Sequence, residues 1–222
     1  VADAVCYNPQ NYEGGFKGPM SIRMALGASR NIPAVKAIYL VGVQNTINTA
    51  KSMGITGLDN AERYGLSLAL GSADVSLLDM TGAYSVFAND GMRNNLTGIL
   101  KIQDTKGNIV EEFSTSSRRV LPEQTARMMN NVLSDVTARN SIFVKNYFKN
   151  DVVALKTGTT NNYRDAWVVG YTPQITVGAW SGNNDNTPIA KQVAGYIVAP
   201  MWHEFMNAIL PTLPDERFPK PD

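Results

Sequence analysis

Three short β-rich runs in the last third of the chain constrain its fold more than any other feature. They read DVVALKTG, DAWVVGYT and QITVGAWSG, and only short turn sequences separate them. Runs of this length, rich in Val and Thr and joined by short turns, predict neighbouring antiparallel strands. The apolar-periodic run VAPMWHEFMNAIL follows them and predicts a helix that covers the sheet.

The first half of the chain predicts helices. SIRMALGAS follows the N-cap signal of Ser21, and IPAVKAIYLVGV has Pro33 near its first turn. NTINTAKSMG ends at Gly54, and VSLLDMTGAYSVFANDG has the capping-box spacing of Ser76 and Asp79. ILKIQDTKGNIVEEF predicts a hairpin, and LPEQTARMMNNVLSDVTA predicts another helix. Helices, then adjacent strands, then a covering helix place the chain in the α+β class.

Composition excludes several kinds of site. The 222 residues are 44% hydrophobic and 18% charged, as in an ordinary globular chain with a sizeable core. A net charge of +1 without a basic stripe gives no support for binding nucleic acid or a membrane surface. Cys6 is the only cysteine, which excludes an internal disulfide and a paired-thiolate metal site. No apolar run is long enough to span a bilayer. We expect no cofactor and no metal ion.

The residues around Lys156 carry the strongest chemical signal. An apolar run ends on this lysine and continues as Thr157, Gly158 and Thr159. A lone lysine at a strand end commonly points into solvent, and the strand alone leaves that interpretation open. Gly158, however, removes a side chain from the strand edge, and the threonines offer hydroxyls beside the cation. The pattern favours capture of an extended peptide that ends in a carboxylate.

Two motifs connect this lysine to a known family. Lys156 begins a K-T-G motif, and Ser29-Arg30-Asn31 forms an S-x-N motif upstream. S-x-x-K, S-x-N and K-T-G are the three motifs of penicillin-binding proteins and class A β-lactamases. The phrases ALGASRNIPAVK, LSLALGSADVSLLDMTGAYSVFANDG and KTGTTNNYRDAWVVGYTP resemble the transpeptidase domain of class A (bifunctional) penicillin-binding proteins. The resemblance runs from about Asn11 to Phe205, and it implies that family's transpeptidase fold.

The nucleophile motif of the family is absent. No serine of the 222 residues has a lysine three positions later. In the family S-x-x-K precedes S-x-N, so we expect it upstream of this chain, on a nucleophile helix that the chain lacks. Loss of that helix would leave an apolar face uncovered. We therefore expect the remainder of the same domain as a partner, and no activity from these residues alone; a degenerate homologue is the alternative.

Under this interpretation residues 1–222 form one partial transpeptidase domain. Residues 1–20 are expected to be loop, and 21–92 a helical part that carries S-x-N. Residues 93–150 would hold the hairpin and a helix. Residues 151–210 would hold the K-T-G strand, the meander and the C-terminal helix, and 211–222 a mobile tail.

The resemblance implies acyl transfer on stem peptides ending in D-Ala-D-Ala, through a serine acyl-enzyme that β-lactams also form. Ser29 would relay protons and Asn31 would bind the substrate amide, although both residues also fit a cap or turn. Lys156 would attract the substrate carboxylate, and we expect its side chain within hydrogen-bonding distance of Ser29. The K-T-G strand would bind the same group and provide half of the oxyanion hole, through Thr157, Gly158 and Thr159.

The resemblance also implies a place at the extracytoplasmic face of the bacterial membrane, anchored by a segment outside this chain. There the protein would serve cell-wall synthesis and cell shape, and it would bear on antibiotic resistance. Two alternatives stay open. One is a non-catalytic module that binds stem peptides or β-lactams, and the other is a D,D-carboxypeptidase or serine β-lactamase. The phrases NIPAVK and YRDAWVVGYTP favour the transpeptidase over the second.

Other reactive residue types are assigned structural roles. His203, the only histidine, is predicted to pack or to lie at the surface. Cys6 lacks a neighbouring base that would activate a thiol. Arg164 and Asp165 are adjacent in a strand and are expected to pair with other residues rather than with each other. The tryptophans are predicted to form a core between the sheet and the last helix, namely Trp167, Trp180 and Trp202.

Overall fold

The computed structural model describes residues 7–139, 147–148, 152–189 and 191–222. Its centre is an antiparallel sheet of β5 (Ala154–Thr159), β6 (Asp165–Tyr171) and β7 (Thr176–Gly182), in the order β5-β6-β7. Lys156 lies opposite Val169, and Gly158 lies opposite Trp167. The predicted meander is therefore confirmed, and β5 is an edge strand of the described sheet.

One face of the sheet packs against the C-terminal helices α7 (Ala194–Ile197) and α8 (Ala199–Ile209). Leu155 and Val168 meet Trp202 and Met206 there, and all four side chains are buried. The Trp202 indole donates a 2.9 Å hydrogen bond to the carbonyl of Val177. This contact fixes the last helix on the sheet.

The opposite face packs against α6 (Glu123–Ser134). Ala154 and Tyr171 meet Leu133 in a core cluster that also includes the half-buried Tyr84. The Tyr171 hydroxyl donates to the Asn130 side-chain oxygen at 2.9 Å, so this buried amide has a partner. Because strand residues alternate between faces, Lys156 shares this face with Ala154.

A helical part precedes the sheet. It comprises α1 (Ile22–Gly27), α2 (Asn31–Val41), α3 (Val43–Met53), α4 (Ala61–Tyr64), a 3₁₀ turn (Gly65–Leu70) and α5 (Leu77–Ala88). The predicted caps are confirmed, because Ser21 and Ser76 accept hydrogen bonds from backbone N–H groups of the first turns of α1 and α5. Gly54 ends α3 with a φ of 115°, in the left-handed region that favours glycine.

Two small antiparallel pairs lie between these parts. The predicted hairpin is confirmed as β2 (Lys101–Gln103) and β3 (Ile109–Glu112). A second pair, β1 (Met92–Asn94) with β4 (Ser117–Arg119), was not predicted. Its strands are only three residues long and largely polar, so they carry little strand signal.

Two expectations about the core and the tail are wrong. Trp202 is buried against the sheet, but Trp167 and Trp180 are half-buried partners on the opposite face, because they alternate with the residues that meet α8. The tail, residues 211–222, packs against the rest of the domain. Phe218 packs edge-on against Tyr171 at 5.6 Å between ring centroids, and the backbone N–H of Asp222 donates to Gln124.

In the described part of the chain, every helix is too short or too polar to cross a membrane. The division of the chain at residues 20, 92, 150 and 210 stays a prediction.

Candidate functional site

Ser29 lies in a tight turn between α1 and α2. The backbone N–H of Ser29 donates to the Leu26 carbonyl at 3.0 Å, and that of Arg30 donates to the Ala25 carbonyl at 2.9 Å. This is the hydrogen-bond pattern of a Schellman helix end, in which glycine commonly takes the left-handed position. Ser29 occupies that position with a φ of 56°. Such strain in a residue with a side chain is concentrated at functional sites.

The alternative view of Ser29 as the N-cap of α2 is wrong, because Arg30 takes the N-cap position and no side-chain cap is formed there. Ser29 is instead the residue that reverses the chain after α1. Its side chain is exposed, so the turn presents the hydroxyl outside the helices.

Lys156 reaches this turn from the middle of β5. Its Nζ donates to Ser29 Oγ at 2.6 Å, across 127 positions of sequence. The same ammonium donates to the carbonyl of Thr157 at 2.6 Å. The predicted contact between the S-x-N and K-T-G motifs is therefore confirmed.

Burial lowers the pKa of Lys156 to about 8. The side chain is thus mostly protonated at pH 7, yet it titrates within the range of ordinary enzyme assays. In the described part of the chain no carboxylate pairs with Lys156, so this partly desolvated cation is poised to bind an anion that enters the site.

The rest of the K-T-G strand forms an accessible edge. Gly158 is exposed, and the nearest described atom to a Cβ placed there would be 3.7 Å away, on Trp167. The Thr160 N–H donates to Asp165 in β6 at 3.1 Å. Because N–H groups alternate along an antiparallel strand, the N–H of Thr159 points towards the free edge.

The threonine side chains lie on the face opposite Lys156 by the same alternation. Thr159 Oγ1 accepts a hydrogen bond from the Ala194 N–H at 2.9 Å, at the start of α7. This hydroxyl keeps its own proton for donation. Thr157 is half-buried, and its carbonyl accepts from Lys156.

Asn31 is the first residue of α2, and its side chain turns towards the N-terminal segment. Its Nδ2 donates to the Gln10 carbonyl at 2.8 Å, while Asn11 Oδ1 accepts from the Ile32 N–H at 3.2 Å. The structure therefore brings Ser29 and Lys156 into contact. Asn31, two positions after Ser29, is hydrogen-bonded to the N-terminal segment instead.

Sequence reasoning missed one tyrosine pair. The hydroxyls of Tyr12 and Tyr163 lie 3.0 Å apart, although 151 positions separate the residues. Tyr163 lies in the phrase YRDAWVVGYTP but has no role assigned from sequence, and only the folded chain brings Tyr12 to it. A local clue existed in the Asn-Asn-Tyr turn after K-T-G, because asparagine favours turns.

Asp165 holds the loop that follows K-T-G. Its carboxylate accepts from Thr160 Oγ1 at 3.1 Å and from the Trp180 indole at 2.9 Å. Arg164 donates instead to the carbonyl of Asn186. The expectation that these two adjacent charged residues pair elsewhere is confirmed.

The remaining candidates do not join the site. His203 stacks on Tyr147 at 3.9 Å between ring centroids and meets Phe148 edge-on, which confirms its packing role. Cys6 lies outside the described residues. Within the ranges that the structure describes, no group of three or more His, Cys, Asp or Glu side chains is arranged to hold a metal ion.

An apolar groove of about 350 Å³ lies between α2, α3 and α5. Its lining is almost wholly apolar and includes Val41, Ala50, Met53, Tyr84 and Phe87. Tyr84 also belongs to the cluster on the Lys156 face of the sheet. That a missing nucleophile helix leaves an apolar face uncovered stays a prediction.

Comparisons with known proteins agree with this geometry. Residues 3–207 match the family described as the penicillin binding protein transpeptidase domain. Penicillin-binding protein 1A of Aquifex aeolicus is 36% identical over 218 residues, which cover 96% of this chain and 29% of the relative. Penicillin-binding protein 2D of Bacillus subtilis is 31% identical and covers 97% of this chain and 32% of its own length. This chain thus spans about a third of these relatives.

Solved structures share the fold. Penicillin-binding protein 1A of Haemophilus influenzae superposes with a TM-score of 0.88 at 24% identity, over 100% of this chain and 39% of that one. PonA1 of Mycobacterium tuberculosis, solved in complex with penicillin V, gives a TM-score of 0.81 at 24% identity, over 96% of this chain and 62% of its own. The α+β transpeptidase fold is therefore confirmed.

Proposed function

The chain belongs to the penicillin-binding protein transpeptidase family, and from this premise we propose that it forms part of a D,D-transpeptidase. The intact enzyme would cross-link peptidoglycan stem peptides that end in D-Ala-D-Ala, through a serine acyl-enzyme, and β-lactams would acylate the same serine. The observation that carries the proposal is the 2.6 Å contact between Lys156 Nζ and Ser29 Oγ.

Lys156 and Ser29 suit a proton relay. Because the ammonium donates to Ser29 Oγ, the proton of that hydroxyl is free to point elsewhere. In the proposed reaction Ser29 passes a proton to the leaving amine when the acyl-enzyme forms, and it takes one back when an acceptor amine attacks. The lysine of the S-x-x-K motif would take the proton of the nucleophilic serine and pass it to Ser29, while Lys156 stays protonated and holds the substrate carboxylate by charge.

The free edge of β5 suits the oxyanion. The Thr159 N–H points outward and would form one half of the oxyanion hole, while Gly158 lets the substrate backbone approach. The Thr159 hydroxyl keeps a proton for the substrate carboxylate, and Thr157 would join it. Asn31 would bind the substrate amide by exchanging its bond to Gln10.

The nucleophile and its base are assigned to an S-x-x-K motif outside residues 1–222. Ser29 is a poor replacement, because its hydroxyl accepts a hydrogen bond from the protonated Lys156, which cannot act as its base. The remainder of the same domain is then the obligatory partner of this chain. The extracytoplasmic location, with an anchor outside these residues, follows from the substrate, which is cell-wall material.

The test uses the full-length protein with a D-Ala-D-Ala peptide and an added amine acceptor. The proposal expects D-Ala release together with a cross-linked product, and loss of both after penicillin treatment. D-Ala release to water alone would indicate a D,D-carboxypeptidase. Rapid penicillin turnover without peptide reaction would indicate a serine β-lactamase.

The second candidate is a non-catalytic module that binds stem peptides or β-lactams. The accessible edge of β5 beside the Lys156 cation would bind such ligands without a nucleophile. The same assay separates the two functions, because a binding module would retain the peptide without releasing D-Ala.

A further inference from the structure

The segment of residues 7–20 crosses between the two motifs; we call it the strap. It contains no described helix or strand, and hydrogen bonds attach it to the S-x-N turn. Asn31 donates to the carbonyl of Gln10, and Glu13 forms a 3.1 Å ion pair with Arg30. One side of the strap is therefore fixed at Ser29's own turn.

The other side of the strap reaches the loop after K-T-G through Tyr12 and Tyr163. Tyr163 stands only four positions after Thr159, in a short turn (Asn161–Tyr163) with left-handed backbone at Asn162 and Tyr163. The carbonyl of Tyr163 accepts from Ile189 at 2.7 Å, which holds this unusual turn. The Tyr12–Tyr163 hydrogen bond thus ties the two motif-bearing loops together.

Burial along β5 indicates in which direction a bound peptide extends from Lys156. The start of β5 is buried, since Ala154 and Leu155 are 0% and 1% exposed, and Val153 just before the strand is 0% exposed. Gly158, at the other end, is exposed. A peptide whose carboxylate lies at Lys156 must therefore extend past Thr159, and there it meets the two tyrosines.

We propose that Tyr12 and Tyr163 form a clasp that determines specificity for the part of the acyl donor beyond Thr159. This inference rests on the proposed function. Tyr12 is 66% exposed, so its ring can offer a flat apolar surface to a substituent that extends beyond the strand edge. The clasp would favour donors with a flat or extended group at this end over donors with a small one.

The test compares two penicillins that differ only in the acyl side chain, phenylacetyl against acetyl, on the full-length protein. The measured quantity is the ratio of their second-order acylation rate constants. Tyr12→Ala is expected to lower this preference for phenylacetyl by about three- to tenfold, the size of one lost aromatic contact. Tyr39→Ala is the matched control, because that ring is 70% exposed on α2, two turns from Asn31, and the ratio should stay unchanged.

Two conservative variants keep the test valid if Tyr12→Ala misfolds. Tyr12→Phe and Tyr163→Phe each remove the hydroxyl bond and keep the ring, so each should lower the preference by about two- to fivefold. The double variant should match the singles, since all three lose the same bond. Melting temperatures identify any variant that fails to fold. If Tyr12→Ala is such a variant, the two Phe variants alone test the clasp.

Wild-type preference in Tyr12→Ala or in both Phe variants would overturn the clasp, as would an equal loss in Tyr39→Ala. Such results would refute the clasp alone, because the wild-type protein would still be acylated by penicillin. A wild-type protein that neither penicillin acylates would instead refute the proposed function, and the clasp with it.

Discussion

Acylation by the full-length protein should decline above pH 8 because one lysine titrates there. Burial lowers the pKa of Lys156 to about 8, so about half of the molecules carry the cation at pH 8 and about a tenth at pH 9. In the proposed mechanism the substrate carboxylate binds that cation. The second-order rate constant should therefore fall about fivefold between pH 8 and pH 9, and about tenfold for each further pH unit.

Lys156→Arg tests whether titration of Lys156, and not of another group, causes the decline above pH 8. A guanidinium remains protonated throughout the range, so the variant should lose the decline near pH 8 even where its rate is lower at every pH. The shape of the profile is the readout, and the absolute rate is not. Saturating substrate should move the decline of the wild type to higher pH, because the bound carboxylate stabilises the ammonium.

The assay follows the acylation of both proteins by a fluorescent penicillin from pH 6 to 9.5. Controls measure the hydrolysis of the penicillin without protein and the activity recovered after return to pH 7.5. A wild-type profile that stays flat above pH 8 would refute the role of Lys156 as carboxylate clamp. So would a decline that Lys156→Arg shares.

Three further predictions concern single residues. Lys156→Ala should reduce acylation by at least about 100-fold with little change in melting temperature, because a residue at a strand edge contributes little packing; near-normal acylation would contradict this. The unfolding free energy of Ser29→Gly should be about 1 kcal/mol higher than that of Ser29→Ala, because glycine tolerates the left-handed turn. Both variants should lose acylation. Equal stability of the two variants in urea unfolding would contradict backbone strain at Ser29. Phe218→Ala should destabilise the domain by about 2 kcal/mol through its lost contact with Tyr171, and an unchanged urea midpoint would show that the tail contributes nothing.

The sheet and the motif pair could be predicted from sequence because each depends on local signals. The β-rich runs determine the meander, and S-x-N and K-T-G identify Ser29 and Lys156 without any contact being known. The family relation then implies that the two residues meet, which the 2.6 Å distance confirms.

The missed features depend on residues far apart in the chain. The left-handed geometry of Ser29 arises from how α1 ends against α2, and a serine carries no signal for that position. Phe218 finds Tyr171 in a strand 47 positions earlier, so a Pro-rich tail could not be recognised as docked. The partner of Tyr12 lies 151 positions away.

The central claim is that this chain provides the relay and the clamp, while the nucleophile lies elsewhere in the same domain. Mass spectrometry of the penicillin-labelled full-length protein tests it most directly. The account predicts one adduct, on the serine of an S-x-x-K motif outside residues 1–222, and none on residues 1–222 labelled alone. A stoichiometric adduct on Ser29, or on any other serine of this chain, would contradict it.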